Sequence, residues 1–176
     1  VKNIFRDEAF NAMLADKGVK LSSANSINIG RLVPQVAYYV YAYIKLLENG
    51  TLKKGEPMNV VVPTGNFGNI LAAYYACQMG IPVNKFICAS NRNKVLTDFL
   101  NTGVYSTERE FHITNSPSMD ILISSNLERL LYHLSGGNGA EIAELMNSLD
   151  QNKTYTVSDK IKAGLEVFAA GFADEK

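Results

Sequence analysis

Residues 64–69 constrain the fold most strongly, because they form a glycine-rich turn between two apolar segments. They read Thr-Gly-Asn-Phe-Gly-Asn, follow the apolar run 60–63 and precede a helical pattern over 70–76. A turn of this kind between a parallel strand and a helix directs several backbone N–H groups to one point. The helix dipole adds roughly half an elementary charge there. The sequence therefore predicts a site for a phosphate or another compact anion, and the alternative is a turn whose glycines serve only tight geometry.

The composition of this turn restricts the phosphate compounds that it suits. The turn lacks the Gly-Lys-Ser/Thr ending of a nucleoside-triphosphate loop and the Gly-x-Gly-x-x-Gly spacing of a dinucleotide fold. Residues 64–69 contain no lysine or arginine, whereas a triphosphate with its metal usually needs a lysine. A single phosphate can be held by backbone amides and the helix dipole alone. A cofactor with one phosphate group, such as pyridoxal phosphate, therefore fits better than ATP.

Alternating helical and strand patterns around this turn predict an α/β fold. A strand over 59–63, a helix to about residue 79 and a strand over 85–89 form a predicted parallel, right-handed β–α–β unit. The remaining predictions are helices over 1–17, 32–47, 93–100, 127–134, 140–149 and 158–170, a helix start at 116–117 and a short strand at 19–22. The expected architecture is a single domain over 1–176, an open parallel sheet flanked by helices, with a helical tail over 150–176.

Composition favours a globular protein without nucleic-acid or membrane partners. The 176 residues are 47% hydrophobic and 19% charged with a net charge of zero, so nothing attracts nucleic acid or an anionic membrane over long range. No bilayer-spanning apolar run and no signal-peptide pattern are found, so a cytoplasmic location is expected. Cys77 and Cys88 are expected to be small buried hydrophobes. His112 and His133 lack further ligands at metal-binding spacing, so no metal site is predicted.

Three motifs, in this order along the chain, resemble one enzyme family. They are residues 23–32 (Ser-Ala-Asn-Ser-Ile-Asn-Ile-Gly-Arg-Leu), 62–69 and 116–129 (Ser-Pro-Ser-Met-Asp-Ile-Leu-Ile-Ser-Ser-Asn-Leu-Glu-Arg). The chain resembles the threonine synthases, in the longer form found in bacteria and fungi, best over 1–149. The resemblance implies part of the large domain of the fold shared with tryptophan synthase β, with pyridoxal phosphate as cofactor. The implied reaction converts O-phospho-L-homoserine and water into threonine and phosphate.

The same resemblance implies which residues form the site. The cofactor phosphate would be held by backbone N–H groups and asparagine side chains of Gly65, Asn66, Phe67, Gly68 and Asn69. The residues that would line or support the active site are Asn25, Ser26, Asn28 and Arg31.

Two sets of residues keep alternative interpretations at this stage. For the segment around Arg31, capping and anchoring the following helix is as good an explanation as a direct role, in which Arg31 meets a substrate phosphate or carboxylate as a bidentate donor. Asp120, Asn126 and Arg129 fit either a place at the site or a brace between helices, and the brace is favoured.

The resemblance also implies that part of the active site lies outside this sequence. The family's Schiff-base lysine belongs to a stretch before the first motif, and no lysine here has an apolar, desolvated setting suited to imine chemistry. Because the first residue is Val1, the sequence is expected to be an internal piece of a longer enzyme, inactive alone and able to self-associate through uncovered apolar surface. Two alternatives remain: a non-catalytic phosphate or pyridoxal-phosphate binding module, and another pyridoxal-phosphate enzyme of the same fold, such as a β-eliminating dehydratase.

Overall fold

Residues 2–174, which are the residues that the computed structural model describes, form five β-strands and nine α-helices. The strands are β1 (Met58–Pro63), β2 (Val83–Ser90), β3 (Val104–Ser106), β4 (Thr154–Thr156) and β5 (Phe168–Phe172). The α-helices are α1 (Lys2–Arg6), α2 (Glu8–Asp16), α3 (Ile29–Leu32), α4 (Val36–Glu48), α5 (Gly68–Gln78), α6 (Val95–Thr102), α7 (Leu127–Leu134), α8 (Gly139–Asn152) and α9 (Asp159–Gly164). Single 3₁₀ turns lie at Val33–Gln35, Pro117–Met119 and Leu165–Val167.

A three-stranded parallel sheet in the order β1–β2–β5 carries the core. Val60, Phe86 and Phe168 lie side by side across the three strands, and all three side chains are buried. Helix α5 covers this face, because the ring of its Tyr74 lies 6.1 Å from the rings of both Phe86 and Phe168. On the opposite face of β1, Val61 is 61% exposed. The predicted open parallel sheet with flanking helices is confirmed, and the described helices cover one of its faces.

Helix α5 lies close to the sheet because its inward positions carry small residues. Ala72, Ala73 and Ala76 are fully buried, which allows the helix backbone to approach the strands closely. The helix ends at Gln78, and Gly80 follows with a φ of 109°, a conformation that glycine adopts without steric cost. The predicted β–α–β unit is therefore present, with α5 connecting β1 to β2.

Several predicted elements differ in the structure. The helix predicted over 158–170 ends at residue 164, and residues 168–172 form strand β5, so the prediction of a helical tail is wrong there. Pairing with β2 and burial of Phe168 favour the extended conformation over the local helical pattern. Residues 19–22 form no strand, and the start predicted at 116–117 gives only one 3₁₀ turn. The short antiparallel pair of β3 with β4 was not predicted.

The amino-terminal helices contribute little to the core. No side chain of α2 is buried.

The helix predicted over 32–47 is divided in the structure. It consists of the end of α3, a 3₁₀ turn that contains Pro34, and α4. Over the part of the chain that is described, no helix is long and apolar enough to cross a bilayer.

Candidate phosphate-binding site

The turn between β1 and α5 is anchored at both of its ends. Thr64 donates its backbone N–H to the carbonyl of Ala89 at 2.8 Å, which extends the β1–β2 ladder. Phe67 has a φ of 61° in the left-handed region, and its ring is 1% exposed and lies 5.9 Å from the ring of Phe168. A bulky residue is rarely left-handed, so burial of this ring stabilises the strained turn.

The backbone N–H groups of residues 65–70 have no hydrogen-bond acceptor within residues 2–174. The first paired amide of the helix is that of Leu71, which donates to the carbonyl of Phe67 at 3.1 Å. No side chain caps the start of α5. Six adjacent donors at a helix amino terminus, together with the helix dipole, form an anion-binding arrangement.

The carbonyl groups of the turn are held away from these donors. The hydroxyl of Ser124 donates to the carbonyl of Gly65 at 3.0 Å, and the carbonyl of Asn66 accepts from the Asn126 backbone at 3.1 Å and from its side chain at 3.0 Å. All peptide bonds within residues 2–174 are trans, so each carbonyl and the N–H of the next residue point in opposite directions. The N–H groups of Asn66 and Phe67 are thereby directed away from residues 124–126.

A cavity of about 170 Å³ lies against the turn. Its lining residues come from the turn and from three other segments: Ser26, Arg31, Gln35, residues 62–70 and Ser118. Gly65 must be small here, because an added Cβ would lie 2.7 Å from the carbonyl oxygen of Ser118. An added Cβ on Gly68 would lie 3.3 Å from Nδ2 of Asn126.

The side chain of Asn69 binds the neighbouring helix. Its Nδ2 donates to Oε1 of Gln35 at 2.8 Å, and its Oδ1 accepts from the Tyr39 hydroxyl. Burial raises the pKa of Tyr39 to about 12, so this hydroxyl stays protonated at neutral pH. Because both ends of the Asn69 amide are engaged, the group that Asn69 presents at the turn is its backbone N–H. Oδ1 of Asn66 lies 3.4 Å from the Ser125 hydroxyl.

Of the predicted residues in segment 23–31, the structure brings Ser26 and Arg31 to the cavity. The guanidinium of Arg31 makes one hydrogen bond, from Nη1 to the carbonyl of Ala24 at 3.3 Å, and no ion pair among the described residues. The remaining N–H groups of the exposed guanidinium are therefore available to a bound anion.

Asn25 and Asn28 shape this segment and do not line the cavity. Oδ1 of Asn25 accepts from the N–H of Ile27 at 3.2 Å, and Oδ1 of Asn28 accepts from the N–H of Gly30 at 2.8 Å. The second bond caps α3, which carries Arg31. Asn25 and Asn28 thus hold Ser26 and Arg31 in place.

Sequence reasoning missed three residues of the site: Gln35, Ser118 and Ser124. Gln35 lies four residues after Arg31, so helical spacing alone places both on one face. The other two lie more than 50 residues from the turn, and no local pattern predicts that they contact Gly65.

Comparisons with known proteins show what the chain is similar to. No protein-family model matches the chain. The chain is 49% identical to threonine synthase-like 1 of Homo sapiens over 99% of its own length and 24% of that protein. It is 42% identical to threonine synthase of Eremothecium gossypii over 84% of its length and 28% of that protein. The crystal structure of threonine synthase from Brucella melitensis with bound pyridoxal phosphate superposes with a TM-score of 0.88 at 40% identity, over 98% of this chain and 35% of that one.

The chain belongs to the threonine synthase family. It spans about a quarter to a third of the length of the curated relatives that it matches. The yeast threonine synthase structure superposes with a TM-score of 0.86 at 35% identity, again over 98% of this chain. The family resemblance that the three motifs indicated is confirmed.

No lysine among the residues of this family segment lines the cavity at the turn. A second cavity of about 470 Å³ is lined in part by residues 125, 128 and 129, and its largely apolar walls include Tyr75, Tyr132 and Ile142. It contains none of the unpaired amides of the turn. Of these two cavities, the smaller one therefore carries the unpaired amides of the turn.

Proposed function

We propose that this chain is the cofactor-phosphate-binding part of a threonine synthase, which converts O-phospho-L-homoserine and water into threonine and phosphate. The observation that carries the proposal is the set of backbone N–H groups at residues 65–70, which have no acceptor among the described residues. The carbonyls of Gly65 and Asn66 accept from Ser124 and Asn126, so the donors are left for an anion.

The donor set fits the single phosphate group of pyridoxal phosphate. The donors are neutral amides at a helix amino terminus, and residues 64–69 contain no lysine or arginine that a triphosphate would need. A cavity of about 170 Å³ suits a phosphate group better than a whole nucleotide. The Brucella melitensis threonine synthase, solved with pyridoxal phosphate, supports the same cofactor. When bound, this cofactor serves as an electron sink for carbanions.

Each residue of the segment then has a defined task. The N–H groups of residues 65–70 hold the phosphate, and Gly65 and Gly68 keep the turn close enough for them to reach it. Arg31 supplies a fixed positive charge and several donors for the phosphate or carboxylate of the substrate. Ser26 lies beside it, and Asn25 and Asn28 keep both in position.

The lysine that the reaction requires is expected outside residues 1–176. The isolated chain should therefore release no phosphate from O-phospho-L-homoserine. Addition of pyridoxal phosphate, reduction with borohydride and peptide mapping are expected to label no single lysine to stoichiometry. One fully labelled lysine would show that the chain carries its own catalytic lysine.

The direct test of the phosphate site is Gly65→Val, compared with Gly139→Ala as control. A valine Cβ would lie 2.7 Å from the Ser118 carbonyl oxygen, whereas an added Cβ on Gly139 meets nothing within 4 Å. Binding of pyridoxal phosphate and of inorganic phosphate is measured by dialysis and by amide chemical shifts. We expect Gly65→Val to lose binding and Gly139→Ala to retain it. Equal binding by both variants would contradict the proposal.

A non-catalytic phosphate-binding protein is the second candidate, favoured by the absence of a lysine among the described residues that line the cavity at the turn. The two candidates share the phosphate site and differ in turnover. Phosphate release from O-phospho-L-homoserine by the longest natural polypeptide that contains this segment separates them. Release at an enzyme-like rate supports the synthase, and binding without release supports the second candidate.

A further inference from the structure

Asn126 contacts both segments that line the cavity. It is fully buried, and its Nδ2 donates to the carbonyl of Ser26 at 2.8 Å and to the carbonyl of Asn66 at 3.0 Å. Its backbone N–H donates to the same Asn66 carbonyl at 3.1 Å. Ser26 lies 100 residues and Asn66 lies 60 residues from Asn126 in sequence. One side chain therefore connects the segment that carries Arg31 to the turn.

Arg129 determines which way the Asn126 amide faces. Its Nη1 donates to Oδ1 of Asn126, and its Nη2 donates to the carbonyl of Ile27 at 2.7 Å. Because Oδ1 can only accept, the arginine fixes the oxygen on its own side and leaves the NH₂ group toward the two carbonyls. Arg129 forms no ion pair with any described residue, so the guanidinium is engaged by this oxygen and this carbonyl.

The direction of the turn amides depends on this arrangement. The Asn66 carbonyl is held by two donors of Asn126, and the trans peptide then directs the Phe67 N–H to the opposite side. Without those donors the carbonyl could rotate toward the cavity, where its partial negative charge would oppose an anion. An unpaired carbonyl in this buried place would also favour rearrangement of the turn.

We propose that Asn126 and Arg129 are positioning residues for the phosphate site: Arg129 orients the Asn126 amide, and Asn126 holds the turn and segment 23–31 in the binding conformation. This proposal rests on the proposed phosphate-binding function. Neither side chain needs to touch the phosphate, since both act through the backbone of Asn66 and Ser26.

Two substitutions that preserve charge test this role. Asn126→Leu keeps a neutral side chain of similar size and removes both Nδ2 donations, to Ser26 and to Asn66, while the backbone N–H of residue 126 remains. Arg129→Lys keeps the positive charge and removes the two-pronged guanidinium contact. Neither variant can weaken phosphate binding by changing the net charge near the site. Ser135→Ala is the control, because the buried Ser135 hydroxyl also makes two hydrogen bonds, to Tyr132 and from Asn138, at the distant α7–α8 connection.

Three quantities are measured for each variant. They are the dissociation constants for inorganic phosphate and pyridoxal phosphate, the thermal unfolding midpoint, and the amide chemical shifts of Gly65 and Gly68. For Asn126→Leu we expect binding weakened about tenfold or more, and for Arg129→Lys a smaller loss of roughly threefold. In both variants the two glycine resonances should shift without ligand. Ser135→Ala should lower the unfolding midpoint while the affinities and the resonances of the turn stay unchanged.

Binding by folded Asn126→Leu within about twofold of the unsubstituted chain would overturn the proposal. If Asn126→Leu does not fold, Arg129→Lys decides the question by the same measurements. If the unsubstituted chain binds neither phosphate compound, the proposed function fails, and the glycine resonances still test the positioning role. In that case unchanged Gly65 and Gly68 resonances in the variants would overturn the positioning role of Asn126 and Arg129, and shifted resonances would support that role.

Discussion

Two loops leave the carboxyl ends of the neighbouring strands β1 and β2, and they differ in which of their polar groups form hydrogen bonds within the described chain. The loop after β1 leaves the N–H groups of residues 65–70 without acceptors among the described residues. The loop after β2 bonds its asparagine side chains to a later segment: Asn91 donates to Oδ1 of Asp120 at 2.7 Å, and Asn93 donates to the same oxygen at 3.0 Å. The N–H of Thr114 donates to Oδ2 of Asp120 at 2.9 Å. Backbone N–H groups at residues 92 and 95–97 also lack an acceptor within residues 2–174, so the two loops differ in their side chains: those of Asn91 and Asn93 are bound to Asp120.

The two loops also differ in what anchors them to the domain. The loop after β1 is anchored by an apolar contact, because the Phe67 ring lies in the core against Phe168. The loop after β2 is anchored by hydrogen bonds around Asp120, whose pKa is lowered chiefly by the backbone N–H of Thr114. The second anchor occupies the side-chain amides of Asn91 and Asn93, whereas the first uses an aromatic ring and leaves the N–H groups of residues 65–70 without acceptors among the described residues.

Phe67→Ala should have the largest effect on stability. Removal of a fully buried aromatic ring costs about 3–5 kcal/mol, which chemical denaturation of the chain would measure. The control is Phe111→Ala, because Phe111 belongs to the segment bonded to Asn93 and is 49% exposed. Its loss should change the free energy of unfolding by less than about 0.5 kcal/mol. Equal losses in the two variants would contradict an apolar anchor for the first loop.

Asn93→Ala should have an intermediate effect on the free energy of unfolding. It should lower this stability without weakening phosphate binding. Asn93 is buried and bonds to Asp120 and to the backbone of His112, so its loss should cost about 1–3 kcal/mol. The affinity for inorganic phosphate should stay within about twofold of the unsubstituted value. Asn101→Ala, at an exposed position of α6, is the control for both measurements. A larger loss of affinity than of stability would show that the second loop takes part in binding.

Asp120→Asn should have the smallest effect on the free energy of unfolding, and the size of this effect should depend on pH. The folded-state pKa of Asp120 is lowered from its ordinary value of 3.8, so the carboxylate stabilises the fold above that pH. This contribution disappears as the pH falls through the lower folded-state pKa. The stability difference between the unsubstituted chain and the variant should therefore be greatest near neutral pH and shrink below about pH 4. A difference that is constant from pH 7 to about pH 3 would contradict the polar anchor.

The sequence predicted the part of the fold and of the site that depends on neighbouring residues. The apolar run, the glycine turn and the stop at Gly80 suffice to predict β1, α5 and β2, because each signal is local. The hydrogen bonds that hold the carbonyls of Gly65 and Asn66 could not be predicted, since Ser124 and Asn126 contact the turn from about 60 residues away. For the same reason the direct partners of Asn69 were not foreseen.

Strand β5 shows why a local pattern can mislead. Residues 168–172 read Phe-Ala-Ala-Gly-Phe, a composition with weak strand preference that continues the helical pattern before it. The segment is extended because its backbone pairs with β2 and Phe168 packs against Phe86, whose ring lies 5.1 Å away. Both causes are non-local. Strands β3 and β4 are three residues each and lie about 50 residues apart, so their pairing could not be predicted from local sequence either.

The proposed phosphate site is tested most directly by titrating the ¹⁵N-labelled chain with inorganic phosphate and then with pyridoxal phosphate while the amide chemical shifts are followed. We expect the resonances of residues 65–70 to move to saturation with both compounds, while those of Asn91 and Asn93 stay in place. Resonances of residues 65–70 that do not move, or movement that centres on the loop after β2, would contradict the proposed site.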